Sequence, residues 1–219
     1  MRTLRVTGKG QIKVKPDMTR ITITLEGLYK DYSETLRRSS EDTEKLKELL
    51  KKYGFERTDL KTLSFDVDTE YESYKEKDTW KQRFLGYRYR HLLKVEFDSD
   101  NDRLGRILYG LANSELNPEF RMSYTVKDSE SAKNALLSKA VADAKEKAKV
   151  LSEAAGTVLK DIQSIDYSWG EIDLEIRPMN REMVMETKMC MATDGSYDID
   201  IEPEDIDVSD TVTLVWEIA

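Results

Sequence analysis

Sulfur is concentrated in one short stretch of this sequence. Met179, Met183, Met185, Met189, Cys190 and Met191 hold five of the eight methionines and the only cysteine. Thioether and thiolate ligands suit Cu(I), and Met-x-Met spacing sets two sulfurs on one side of an extended strand. Met183, Met185, Met189, Cys190 and Met191 are therefore the candidate ligands of a soft metal. The same side chains also make an adaptable apolar contact surface, and they oxidise readily to sulfoxide. Without a neighbouring histidine, the pattern favours a subunit contact or flap over oxidation sensing, and both over a metal site.

Four other groups could carry chemistry. His91 is the only histidine, on the apolar side of an alternating stretch. Imidazole is the natural general base near neutral pH, but catalysis needs a base, an orienting group and a pocket together. No nucleophile-elbow sequence accompanies it. A structural histidine is the expectation, and no catalytic residue is assigned. Gly8-Lys9-Gly10 could suggest a phosphate loop. Such a loop needs a third glycine and a following helix N-terminus, whereas here a strand continues, so a bulge or tight bend is expected. Asp194, Asp198, Asp200, Glu202, Glu204, Asp205, Asp207 and Asp210 offer hard oxygens. They lack the calcium-loop spacing and read as a solvated acidic loop.

The last group is aromatic. Tyr71, Tyr74, Trp80, Phe84, Tyr87 and Tyr89 mingle with Arg83, Arg88 and Arg90. Stacking platforms for single-stranded nucleic acid look like this, as do hairpin faces that pack on a core or a neighbouring subunit. The net charge of -8 favours packing. Tyr74, Trp80, Phe84 and Tyr87 are the expected contacts of a homo-oligomer, with no nucleic-acid partner and no cofactor.

These groups need elements to hold them. Leu4 to Val14 and Met18 to Tyr29 alternate as strands around a Lys15-Pro16-Asp17 turn. Asp31 and Glu34 form a candidate capping box for a helix ending near Gly54. Leu60 to Tyr74 and Arg83 to Phe97 read as a long hairpin with a polar tip over residues 75–82. Along its second arm Leu85, Tyr87, Tyr89, His91, Leu93, Val95 and Phe97 face one way, and Arg88, Arg90, Lys94 and Glu96 the other. Asn101 to Ala112 is a short helix, Glu119 to Val126 a strand. Ser129 to Ala155 is a long Ala-rich helix with its stripe at Leu137, Val141, Ala144, Ala148, Leu151 and Ala155. Asp128, Ser129 or Ser131 can cap it, Gly156 ends it, and Ile162 to Ile165 follows as a short strand. Thr211 to Ile218 closes the chain as a buried strand. Hairpins with helices between them predict an α+β fold: largely antiparallel sheets, the long helix and two others packed on one face.

At 219 residues the chain can bury a proper core. A single cysteine excludes an intrachain disulfide, and no apolar run reaches the ~20 residues that span a bilayer. The first residues alternate like a strand and lack the apolar core of a signal peptide. If Met1 is the native start the protein is expected in the cytoplasm; if a leader preceded it, in the periplasm or outside the cell.

Four segments resemble one family in order. They are VTGKGQIKVKPDMTRITITLEG; FLGYRYRHLLKVEF with DNDRLGRILYGLANS; KAVADAKEKAKVLSEAAGTVLKDIQSI; and IEPEDIDVSDTVTLVWEI. Together they resemble the SIMPL-domain family, bacterial proteins that include periplasmic immunogenic and oxidative-stress-associated members. The resemblance covers nearly the whole chain, as one SIMPL-type domain over 1–219 or two subdomains sharing one core. It implies an α+β fold, a tendency to oligomerise and no established catalytic activity. The chain departs from it in showing no secretion signal and in an acidic closing segment. The expected function is non-enzymatic self-association, as a stress-related assembly or scaffold. The alternative is a soft-metal, small-ligand or oxidation-sensing module built on residues 179–191.

Overall fold

A computed structural model describes residues 2–76, 79–167, 174–176 and 195–219. The elements, in chain order, are β1 (Arg2–Val14), β2 (Met18–Tyr29), α1 (Tyr32–Lys51), β3 (Lys61–Glu76), β4 (Thr79–Asp98) and α2 (Asn101–Ala112). β5 (Glu119–Thr125), α3 (Ser129–Ala155), β6 (Leu159–Tyr167), β7 (Glu175–Ile176) and β8 (Ile206–Ile218) follow. The fold is α+β with antiparallel sheets. It divides into two compact units: Met1–Asp17 with Tyr124–Ile176 and Pro203–Ala219, and Met18–Ser123 with Arg177–Glu202.

The first unit is built around α3. Its three-stranded sheet runs β1-β8-β6, with β1 and β8 paired over their whole length from Arg2↔Ile218 to Val14↔Ile206. The buried stripe of α3 is Leu136, Ala140, Ala144, Ala148 and Ser152. This shifts the predicted stripe: Leu137 and Val141 lie at its margin and Leu151 is exposed. The reason lies in β1. A Cβ on Gly8 would meet Ala140 O at 2.1 Å, and one on Gly10 would meet Leu136 O at 2.2 Å. The strand thus offers a notch only a column of small residues can enter, and the alanines four apart set the helix rotation. Gly8-Lys9-Gly10 is therefore neither bulge nor bend, since its register with β8 is unbroken. β1 is an edge strand, and α3 covers that edge: the Lys9 N–H donates to Asp143 Oδ2 at 2.7 Å, and Lys139 Nζ donates to Gln11 O at 3.3 Å. Asp128 caps the helix by accepting from the Ser131 N–H, and Gly156 ends it at φ +62°.

The acidic segment is not all loop. Ile206 to Asp210 belongs to β8, because β1 supplies a ladder along it, and Asp207 accepts from the Gln11 side chain at 2.9 Å. Long-range pairing overrides the low strand propensity of aspartate here.

The five-stranded sheet runs β3-β4-β2-β5-β7, and the second unit carries its β3, β4 and β2. Leu46 and Leu50 of α1 and Leu104, Ile107, Leu108 and Leu111 of α2 pack with Ile21, Ile23, Leu25, Leu93, Val95 and Phe97 in one apolar core. α1 and α2 thus share one face. The other face is a charged grid, with Arg20–Glu96 at 2.6 Å and Arg88–Glu70 at 3.1 Å. Asp31 is the N-cap of α1, but its carboxylate makes no capping bond. The capping box does not form because Glu34 turns along the helix, 3.6 Å from Arg37 and from Arg38. Asp100 does cap α2, accepting from the Arg103 N–H at 3.0 Å.

Candidate assembly surface

The hairpin is longer than its alternation predicts. β2 stops pairing with β4 at Tyr29↔Tyr87, whereas β3 and β4 stay paired to Glu76↔Thr79, through most of the predicted polar tip. Over this last stretch, ~20 Å at strand rise, no third strand flanks the pair among the described residues. It forms a two-stranded arm.

A bulge at its base decides which side chains meet. Glu70 pairs with Gly86 but Tyr71 with Phe84, leaving Leu85 as the extra residue. The Gly86 backbone at φ +153°, packed against Tyr29 O, accommodates the irregularity. Side-chain parity in β4 reverses there, so Phe84, Gln82 and Trp80 share a face with Tyr87, the face covered further along by α1. The rings confirm the geometry. Tyr71 meets Phe84 edge-on at 5.6 Å, Phe84 meets Tyr87 at 5.3 Å, and Tyr87 meets Tyr32 of α1 at 5.4 Å. This is one continuous aromatic row. Trp80 stands beyond it, 71% exposed, while Tyr71 is 53% and Phe84 43% exposed.

The remaining aromatics go elsewhere. Tyr74 lies on the opposite face, where the Arg83 guanidinium sits 6.0 Å over its ring and also bonds Glu72. Tyr89 is buried and donates its hydroxyl to Asp42 at 2.6 Å; burial and that bond push its ionisation far up. Arg88 and Arg90 point to the charged face, away from the aromatic row. Sequence reasoning omitted Tyr32, Leu63 and Phe65, although Leu63, Phe65 and Val67 alternate along β3. Tyr32 follows the Asp31 cap, but its place in the row depends on a contact with Tyr87 of β4 that no local pattern shows.

Among the described residues β3 is also the edge strand of its sheet. Asp66, Asp68, Glu70, Glu72 and Glu76 occupy alternate positions along one side of it. Two such edges pairing about a two-fold axis would set carboxylates opposite carboxylates, which is destabilising. Among the described residues, these charges disfavour pairing at the edge, and the aromatic face carries no such row of carboxylates.

His91 has partners the sequence did not reveal. Thr43 Oγ1 lies 3.1 Å from Nδ1, Thr62 Oγ1 2.9 Å from Nε2, and the Phe65 ring meets the imidazole edge-on at 5.1 Å. Burial, then the Lys47 ammonium, hold its pKa below the usual histidine value. A concave surface of this unit, lined by Glu41, Glu44, Lys45, Glu48, Lys52 and Leu116, does not include His91. Among the described residues no three histidine, cysteine or acidic side chains gather as a metal-holding group. Met183, Met185, Met189, Cys190 and Met191 lie outside the described residues.

Among known proteins, this chain is 26% identical over 219 residues to the "26 kDa periplasmic immunogenic protein" of Brucella abortus. It is 26% identical to the protein of the same name from Brucella melitensis biotype 1. Each alignment covers 98% of this chain and 84% of the relative. A family model described as "SIMPL: Protein of unknown function (DUF541)" matches residues 4–216. That span runs from Leu4 in β1 to Trp216 in β8 and takes in the aromatic arm, the notched strand and the Ala-rich helix, so the chain belongs to the SIMPL family.

Proposed function

We propose that this chain is a non-enzymatic assembly protein whose β3–β4 arm makes the contact between subunits. The observation that carries the reading is the aromatic row Tyr71–Phe84–Tyr87–Tyr32, prolonged by the exposed Trp80. Aromatic side chains bury roughly 150–250 Å² each, so Tyr71, Trp80, Phe84 and Tyr32, each about half exposed, present roughly 400 Å² to a partner. A standard interface needs about 800 Å² per side. The rings supply about half of that, and the flanking strands of the arm supply the remainder. The Brucella relatives carry "periplasmic" in their names, and we place this chain in the same compartment as an envelope scaffold.

Changing Trp80 and Phe84 together to serine removes two of the four exposed rings without touching the core. Sedimentation velocity then shows the assembled species of the wild type replaced by monomer. An unchanged sedimentation profile would contradict the arm's role. Subcellular fractionation tests the location, and recovery solely with cytoplasmic markers counts against it.

A further inference from the structure

His91 is held at both ring nitrogens, and the network fixes which one carries the proton. The Thr43 hydroxyl donates its single proton to Ser39 O at 2.8 Å, so it accepts from Nδ1–H. Nε2 then holds the lone pair, and Thr62 donates to it. The β-bulge between Thr62 and Ser64 is what turns both Thr62 and Phe65 toward the imidazole. One side chain of β4 thereby ties edge strand β3 to helix α1.

The charged groups nearby do not welcome a second proton. From α1, Lys47 approaches the ring, Glu44 is bonded to Lys47 and Arg57, and Asp42 is taken by the Tyr89 hydroxyl and Lys45. β2 places Leu25 opposite His91, and β3 offers Thr62 and Phe65. Among the described residues no carboxylate bonds the imidazole.

We propose that His91 is an acid-released clasp: neutral, it fastens the start of β3 to α1; protonated, it lets residues 61–67 of β3 open. Protonation fills the lone pair on Nε2, so Thr62 keeps its bond only by turning its hydroxyl to accept, and it puts a cation beside Lys47 in a partly buried site. The strand is the part that yields. α1 is anchored by the buried Leu46 and Leu50, whereas β3 is exposed from Lys61 to Asp66 and has one neighbouring strand. Burial and Lys47 both favour the neutral form, in keeping with this arrangement.

A single histidine gives a single imidazole resonance, so NMR reads its titration directly. Amide exchange of residues 62–67, corrected for intrinsic rate, is followed from about pH 7.5 to about pH 5. Protection is expected to fall as pH drops below the ordinary histidine value of 6.5, about tenfold for each unit by which the folded pKa is depressed, and to level off once the resonance has titrated. In Thr62→Val, protection is already low at the upper pH; in His91→Leu, the pH step disappears. Level protection from about pH 7.5 down to the pH at which the wild-type resonance titrates overturns the proposal, as does an equal step in His91→Leu. Should the variants fail to fold, the wild-type measurement decides alone. None of these readouts depends on self-association.

Discussion

The Cβ position that Gly8 leaves empty lies 2.1 Å from the main-chain oxygen of Ala140. Strand and helix are in backbone contact there, and neither can retreat without uncovering Val6, Val212, Leu214 and Trp216. Gly8→Ala is therefore expected to cost about 3 kcal/mol or more in denaturant unfolding, at the upper end of overpacking. Gly156→Ala is the control. It has a left-handed backbone at φ +62° but open space around it, so its cost should be ~1 kcal/mol, from conformation alone.

Arg103 closes α1 from α2. Its guanidinium sits 4.3 Å from the centroid of Phe55 and 5.2 Å from that of Phe97, and donates to Tyr53 O at 3.2 Å. It thus places a cation at the helix C-terminus between two rings. Arg103→Lys keeps the charge and loses the planar stacking, so it should lower stability by about 1 kcal/mol. A thermal melt unchanged by that substitution would refute the role.

Asp143 gives the first unit an acid-sensitive fastening. The bond from Lys147 and then the Lys9 N–H hold its carboxyl below the ordinary aspartate value of 3.8. Its contribution is fully present above that value and is lost as pH falls through the lower folded value. Asp143→Asn should therefore lose less stability between pH 3.8 and stronger acid than the wild type does. Urea midpoints across that range test it; parallel slopes would show that Asp143 does not contribute.

Much of the fold was legible because its signals are local. The alternation in β2 and β4 and the apolar spacing of α2 gave those elements from short windows of sequence. What was hidden depends on distant partners. The rotation of α3 is set by two glycines more than a hundred residues earlier, and residues 206–210 are strand only because β1 pairs with them. The aromatic residues were placed on the hairpin, but not on its faces. A single bulge at Leu85 brings Phe84 beside Tyr87 while Tyr74 stays on the other side, and no side-chain pattern announces that reversal. The partners of His91 come from α1 and β3, beyond what its own strand could disclose.

The most direct test of the assembly reading is gel filtration with light scattering, on the wild type and on a variant lacking residues 78–81 at the tip of the arm. The account predicts a defined oligomer for the wild type and a folded monomer for the variant at the same concentration. A wild type that stays strictly monomeric at high concentration, or a variant of unchanged oligomeric mass, would contradict it.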